Sequence, residues 1–141
     1  MNVEQILAGL AGQHDSLVEV YVFGTDADDW RRMVERLAEK GFLAGFTRAG
    51  EPAPLDVRAD VFGGNEDNLL KLRVGAQTWT SMLFVENRIE LQGEPREITT
   101  PEDLRKLVGL LEVIHDAVGK QVLLMSETMH PEKTKPYLVI G

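Results

Sequence analysis

The chain contains no cysteine. A disulfide framework, a cysteine-held metal and a thiol nucleophile are therefore excluded. Aromatic residues are scarce at 6%, and two tryptophans make no stacking platform for bases. Positive charge is in deficit: 15 Lys+Arg stand against 23 Asp+Glu, a formal charge of −8 at pH 7. That balance argues against nucleic acid, which needs a basic footprint, and against an anionic membrane surface. Apolar runs such as Val20 to Phe23 fall far below the roughly 20 residues that span a bilayer. Met1-Asn2-Val3-Glu4-Gln5 lacks the basic segment and apolar core of a secretory signal, so a cytoplasmic protein is expected. There is no His-Glu-x-x-His pair, no Gly-x-Ser-x-Gly elbow and no Gly-x-x-x-x-Gly-Lys-Ser/Thr phosphate loop. No cofactor is expected.

What is present is globular usage, 43% hydrophobic and 27% charged over 141 residues. One domain spanning 1–141 suits that length. Charge is spread along the chain, with −3 in residues 1–50, −4 in 51–98 and −1 in 99–141. No acidic tail emerges, so the acidity belongs to the folded surface.

Val3, Ile6, Leu7, Leu10 and Ala11 recur at helical spacing behind a capping Asn2. Leu17 to Phe23 is rich in β-branched and aromatic residues and predicts a central strand buried on both faces. Gly24-Thr25-Asp26 then turns the chain into a helix from Ala27 to Lys40, with Trp30, Met33, Val34 and Leu37 as its apolar stripe and Gly41 as its stop. From residue 42 the period changes to two. Strands are expected at Phe42 to Arg48, at Leu55 to Val61, around Leu70, Leu72 and Val74, at Trp79 to Glu86 and at Ile89 to Gln92. Gly75 is a bulge or a break, and Asn87-Arg88 is a turn in which Asn tolerates a left-handed conformation. Thr100-Pro101-Glu102-Asp103 gives a cap, a first-turn proline and two acids, and opens a helix that Gly119 ends. Gln121 to Ser126 is a further strand, and Pro136 to Ile140 an edge strand. Strands joined by short turns pair antiparallel, so the sequence predicts a two-layer α+β fold. Its largely antiparallel sheet has about six or seven strands, and the helices pack on one face.

Three groups invite chemistry. Asp26, Asp28 and Asp29 follow an apolar strand, where aspartates can hold Mg²⁺, but the same positions are those where acids cap and favour a helix start. Asp56, Arg58 and Asp60 share one strand face and read as a solvated row paired to Lys71 and Arg73, or as an acid/base constellation. Glu127, His130 and Glu132 could offer two or three metal ligands from one loop, although their spacing matches no compact motif. Of the other histidines, His14 lies beside Asp15 in a loop, and His115 falls at the edge of the last helix's apolar stripe. Trp30 is a core residue, and Trp79 is either core or a surface anchor.

The reading favoured by these residues is a non-catalytic protein-binding module that recognises a basic partner, as an inhibitor of a cationic target would. Asp26, Asp28, Asp29, Asp56, Asp60 and Trp79 are its candidate contact residues, on the wet sheet face or around Asp26 to Asp29. In size, acidity and lack of catalytic motifs the chain is similar to bacterial immunity proteins, a likeness of general character. The alternatives are a carboxylate-based metal-dependent hydrolase or transferase, and a small-ligand-binding domain.

Overall fold

The computed structural model describes residues 2–13, 15–57, 61–63 and 67–141. Among these residues, three α-helices, α1 (Val3–Ala11), α2 (Ala27–Glu39) and α3 (Pro101–Val118), pack on one face of an eight-stranded antiparallel sheet. The strands are β1 (Val18–Phe23), β2 (Leu43–Arg48), β3 (Glu51–Pro52), β4 (Asn68–Val74), β5 (Gln77–Ser81), β6 (Arg88–Gly93), β7 (Val122–Ser126) and β8 (Leu138–Ile140), in the order β3-β2-β4-β5-β6-β1-β7-β8. The expected α+β class is present, with slightly more strands than expected. The two-residue β3 is the strand without an expected counterpart, whereas β8 at the opposite edge is the terminal edge strand, confined to Leu138–Ile140.

The helices begin and end where their chemistry dictates. Asn2 accepts the Gln5 N–H at 2.9 Å. Asp26 accepts the Asp29 N–H at 2.8 Å while Asp29 returns a bond to the Asp26 N–H, a reciprocal cap. Thr100 and Asp103 repeat that arrangement at the start of α3, with Pro101 in the first turn. Gly119 closes α3 at φ +69°, a left-handed position suited to glycine.

Strand β1 lies between β6 and β7 and is almost wholly buried from Val18 to Val22. Its even residues Val18, Val20 and Val22 face the helices and join Leu70, Leu72, Trp79, Ile89, Leu91 and the α3 stripe of Leu104, Leu107, Leu111 and Ile114 in one apolar core. Side chains alternate across a strand, so Glu19, Tyr21 and Phe23 project to the helix-free face. Directly opposite residues share a face, and the registers Glu19↔Gln92, Gln92↔Thr80 and Thr80↔Lys71 trace one row across that outer surface.

Two expectations are corrected. Residues 53–57 form no strand; the short β3 stops at Pro52, and Pro54 follows, each proline lacking an N–H to give a ladder. Leu55, Val57 and Val61 instead pack on the core without pairing. The turn between β5 and β6 is not a tight one at Asn87-Arg88. Pairing stops at Thr80↔Gln92, and residues 82–87 form a wide loop in which Leu83, not Asn87, takes the left-handed conformation, at φ +51°. The loop is drawn out because the start of α2 claims its carbonyls: Thr25 and Trp30 donate to Glu86, and Thr25 to Asn87. Gly75 is a break, the left-handed first residue of the Gly75-Ala76 turn between β4 and β5.

Candidate functional site

The helix-free face gathers polar side chains from distant parts of the chain around Gln92. One open recess, about 620 Å³, is lined by Asp15, Glu19, Glu90, Gln92, Glu127 and Met129. A second lies between Thr78, Thr80, Gln92, Glu94 and Glu97. A third holds Met82, Phe84, Val85, Arg88, Glu90 and Gln92. All three meet at Gln92.

At the centre, Glu19 and Tyr21 of β1 stand beside Glu90 of β6. The Tyr21 hydroxyl donates to Glu90 Oε1 at 3.2 Å, and the Thr128 N–H donates to Glu19 Oε1 at 3.2 Å. Glu19 is 2% exposed. Burial pushes its carboxyl up to about 6, and a hydrogen bond with the neighbouring Glu90 carboxyl acts in the same direction. Burial likewise raises the Tyr21 phenol far above its usual value, so it stays a neutral donor. The Arg88 guanidinium sits 5.6 Å from the Tyr21 ring centroid and 3.4 Å from Glu90 Oε2. Tyr21 and Phe23 stack at 5.6 Å. Chemically, burial lets Glu19 keep a proton up to about pH 6, and a positive charge brought near it would favour the ionised form.

Around this centre, Asp15 and Arg96 approach at 3.9 Å. Glu97 accepts the Thr78 N–H at 2.9 Å, and Glu127 accepts the Leu17 N–H at 3.1 Å. Lys71 and Arg73 of β4 share the same face, further along the row from the carboxylates.

The residues singled out in the sequence fall elsewhere. Asp26 is exposed and caps α2, and the Asp29 N–H holds its carboxyl below the usual range. Asp28 is exposed and pairs with Arg31 at 2.9 Å. Asp29 is buried and pairs with Arg32 and, at 3.2 Å, with Lys120, so its charge is already matched inside the protein. Asp56 is exposed outside any strand, whereas Arg58 and Asp60 lie outside the described residues, as does His14. Asp56 thus forms no strand row with Lys71 and Arg73, which face Thr80 and Thr78. Trp79 has no exposed surface; its ring lies in the core against Gly93, with Nε1 directed to Gln77 Oε1 at 3.3 Å. Glu127, His130 and Glu132 are all exposed, and among the described residues no three His, Asp or Glu side chains are grouped to hold a metal. His115 is half-buried, with Nδ1 2.8 Å from the Lys120 carbonyl oxygen.

Sequence reasoning missed Glu19 and Glu90. Their signal was a carboxylate inside an apolar run, Val18-Glu19-Val20-Tyr21-Val22, and a second one at an alternating position in Ile89-Glu90-Leu91. Only the register of β1 against β6 shows that the two meet. No family model matches the chain, and searches of curated proteins and of solved structures likewise found no match.

Proposed function

We propose that the chain is a non-catalytic binding module whose helix-free sheet face engages a basic protein partner. The observation that carries this reading is the convergence of Asp15, Glu19, Glu90, Glu94, Glu97 and Glu127 on the recesses that meet at Gln92. A carboxylate surface of this kind accelerates encounter with a cationic protein and selects against acidic ones. The net charge of −8 supports the same polarity at long range.

Affinity capture on the immobilised chain tests this, using extract of its source cells at about 50 and about 500 mM salt, where screening differs roughly threefold in length. The expected result is a protein of high isoelectric point, identified by mass spectrometry, retained at low salt and released at high salt. The double variant Asp15→Lys/Glu94→Lys, at two exposed positions that line those recesses, should lose most of that retention. Capture of no basic protein at low salt rejects the reading.

A further inference from the structure

The loop between β5 and β6 exposes apolar side chains on a backbone that is tied down. Five large apolar side chains are exposed among the described residues, and three of them are Met82, Phe84 and Val85, at 42%, 54% and 40%. Between them Leu83 is turned inward and is 1% exposed. That inversion requires the left-handed φ of +51°, which costs a leucine backbone energy that a glycine would not spend. The strained conformation is held at both ends. The Leu83 N–H donates to Ser81 Oγ at 3.2 Å, and the Gly63 N–H donates to the Phe84 carbonyl at 3.0 Å. Thr25 Oγ1 and Trp30 Nε1 donate to the Glu86 carbonyl at 2.7 and 3.1 Å. The Thr25 N–H reaches the Asn87 carbonyl at 3.1 Å. A loop fixed in this way presents its side chains with little ordering left to lose on binding.

We propose that this loop is the anchor of the interface, inserting Phe84, flanked by Met82 and Val85, into an apolar hollow on a basic protein; the proposal rests on the binding reading above. The occupant follows from what borders the ridge. Met82, Phe84 and Val85 line one recess together with Arg88, Glu90 and Gln92, and Arg88 pairs with Glu90 there. Glu90 and Gln92 also line the recess that holds Asp15, Glu19 and Glu127, so the apolar ridge runs into the carboxylate surface. A second copy of this chain docking by a two-fold axis would set that carboxylate surface against itself, and like charges oppose it. An acidic protein is likewise repelled by an anionic bilayer. A basic protein surface satisfies both halves. A well-packed aromatic beside a charged rim is also the composition of interface hot spots.

The test places a photo-crosslinking p-benzoylphenylalanine at position 84 of the full chain, with the same group at Val139 on the edge strand β8 as the control. After irradiation in source-cell extract, position 84 should trap a protein of high isoelectric point that position 139 does not. With that protein purified, Phe84→Ser and Met82→Ser should each weaken binding, the former about 30-fold, while Val139→Ser changes it less than about twofold. Both loop variants should keep the wild-type melting temperature, since the side chains removed are exposed. If the loop variants bind within twofold while Asp15→Lys/Glu94→Lys still loses binding, the anchor is wrong and the binding reading stands. If no basic protein is trapped or captured, both fall. A crosslink to a second copy, with a dimer in sedimentation, overturns the anchor. So does flotation with phosphatidylcholine vesicles that Phe84→Ser abolishes.

Discussion

Glu19 is a carboxyl whose neighbourhood was decided by strand pairing. Its side chain is buried against Tyr21 and Glu90, and its folded value of about 6 lies above the ordinary 4.5. A raised carboxyl favours the folded state fully below its unfolded value, and that contribution is lost as pH rises through the folded value. Glu19 therefore stabilises the fold below about pH 4.5 relative to neutral pH, with the loss occurring between about 4.5 and just above 6. Glu19→Gln, which keeps an acceptor for the Thr128 N–H, removes this dependence. The variant should be more stable than wild type at pH 7.5, by roughly 1–2 kcal/mol, and no more stable near pH 4.5. Thermal melts across that range check it, and an equal gain at both ends would reject the assignment. Gly93 is the second residue whose meaning comes from packing. A Cβ there would stand 2.8 Å from the Trp79 ring, which has no exposed surface. Gly93→Ala should cost about 1–3 kcal/mol by overpacking, read as a lower urea midpoint. A neutral result would mean that the Trp79 ring can shift.

Among the elements, the helices were the most legible. Asn2 and Thr100 cap where the sequence placed caps, and of Thr25 and Asp26, either of which could cap α2, it is Asp26 that does; capping is satisfied within four residues and needs no distant partner. The strands between residues 49 and 67 were less so. Leu55 and Val57 alternate as a strand would, yet alternation records only which side chains are buried; it does not supply a neighbouring strand with free donors and acceptors. At the β2–β3 turn both central residues are left-handed, Ala49 at φ +53° and Gly50 at +79°. That turn type favours asparagine followed by glycine. Ala49→Asn should raise stability by about 0.5–1 kcal/mol, measured as a melting-temperature increase; a decrease would show that the alanine serves another purpose there.

At the scale of the whole molecule, β1 is the hub. It joins β6 to β7 at the centre of the sheet, and α3 carries the chain from β6 over to β7. Central strands open only with the global unfolding of the domain, whereas edges fray. Amide exchange should be slowest in Val18 to Val22 and Ile89 to Leu91, and fast in β3 and in Leu138–Ile140. Exchange in β1 as quick as that in β8 would contradict a single cooperative sheet. The same centrality gives the outer face its character. One side of β1 is sealed by the helices, so Glu19, the one carboxylate that alternates with its valines, projects to the other side, where Glu90 of β6 joins it.

The sequence by itself determined the fold class, the three helices with their caps, the central position of β1 and the acidic balance. Each of these follows from local rules, periodicity, capping chemistry and composition, that act over a few residues. Tertiary structure alone decided where the acids matter. Asp29 became an internal counter-charge for Arg32 and Lys120, and Trp79 went to the core. Glu19, Tyr21 and Glu90, separated by up to 71 positions, became neighbours through an antiparallel register. Register is a property of two strands and the loop between them, and the 82–87 loop takes its form from hydrogen bonds to Thr25 and Trp30, more than 50 residues away. No local pattern in either strand carries that information, which is why the face around Gln92 had to be seen folded.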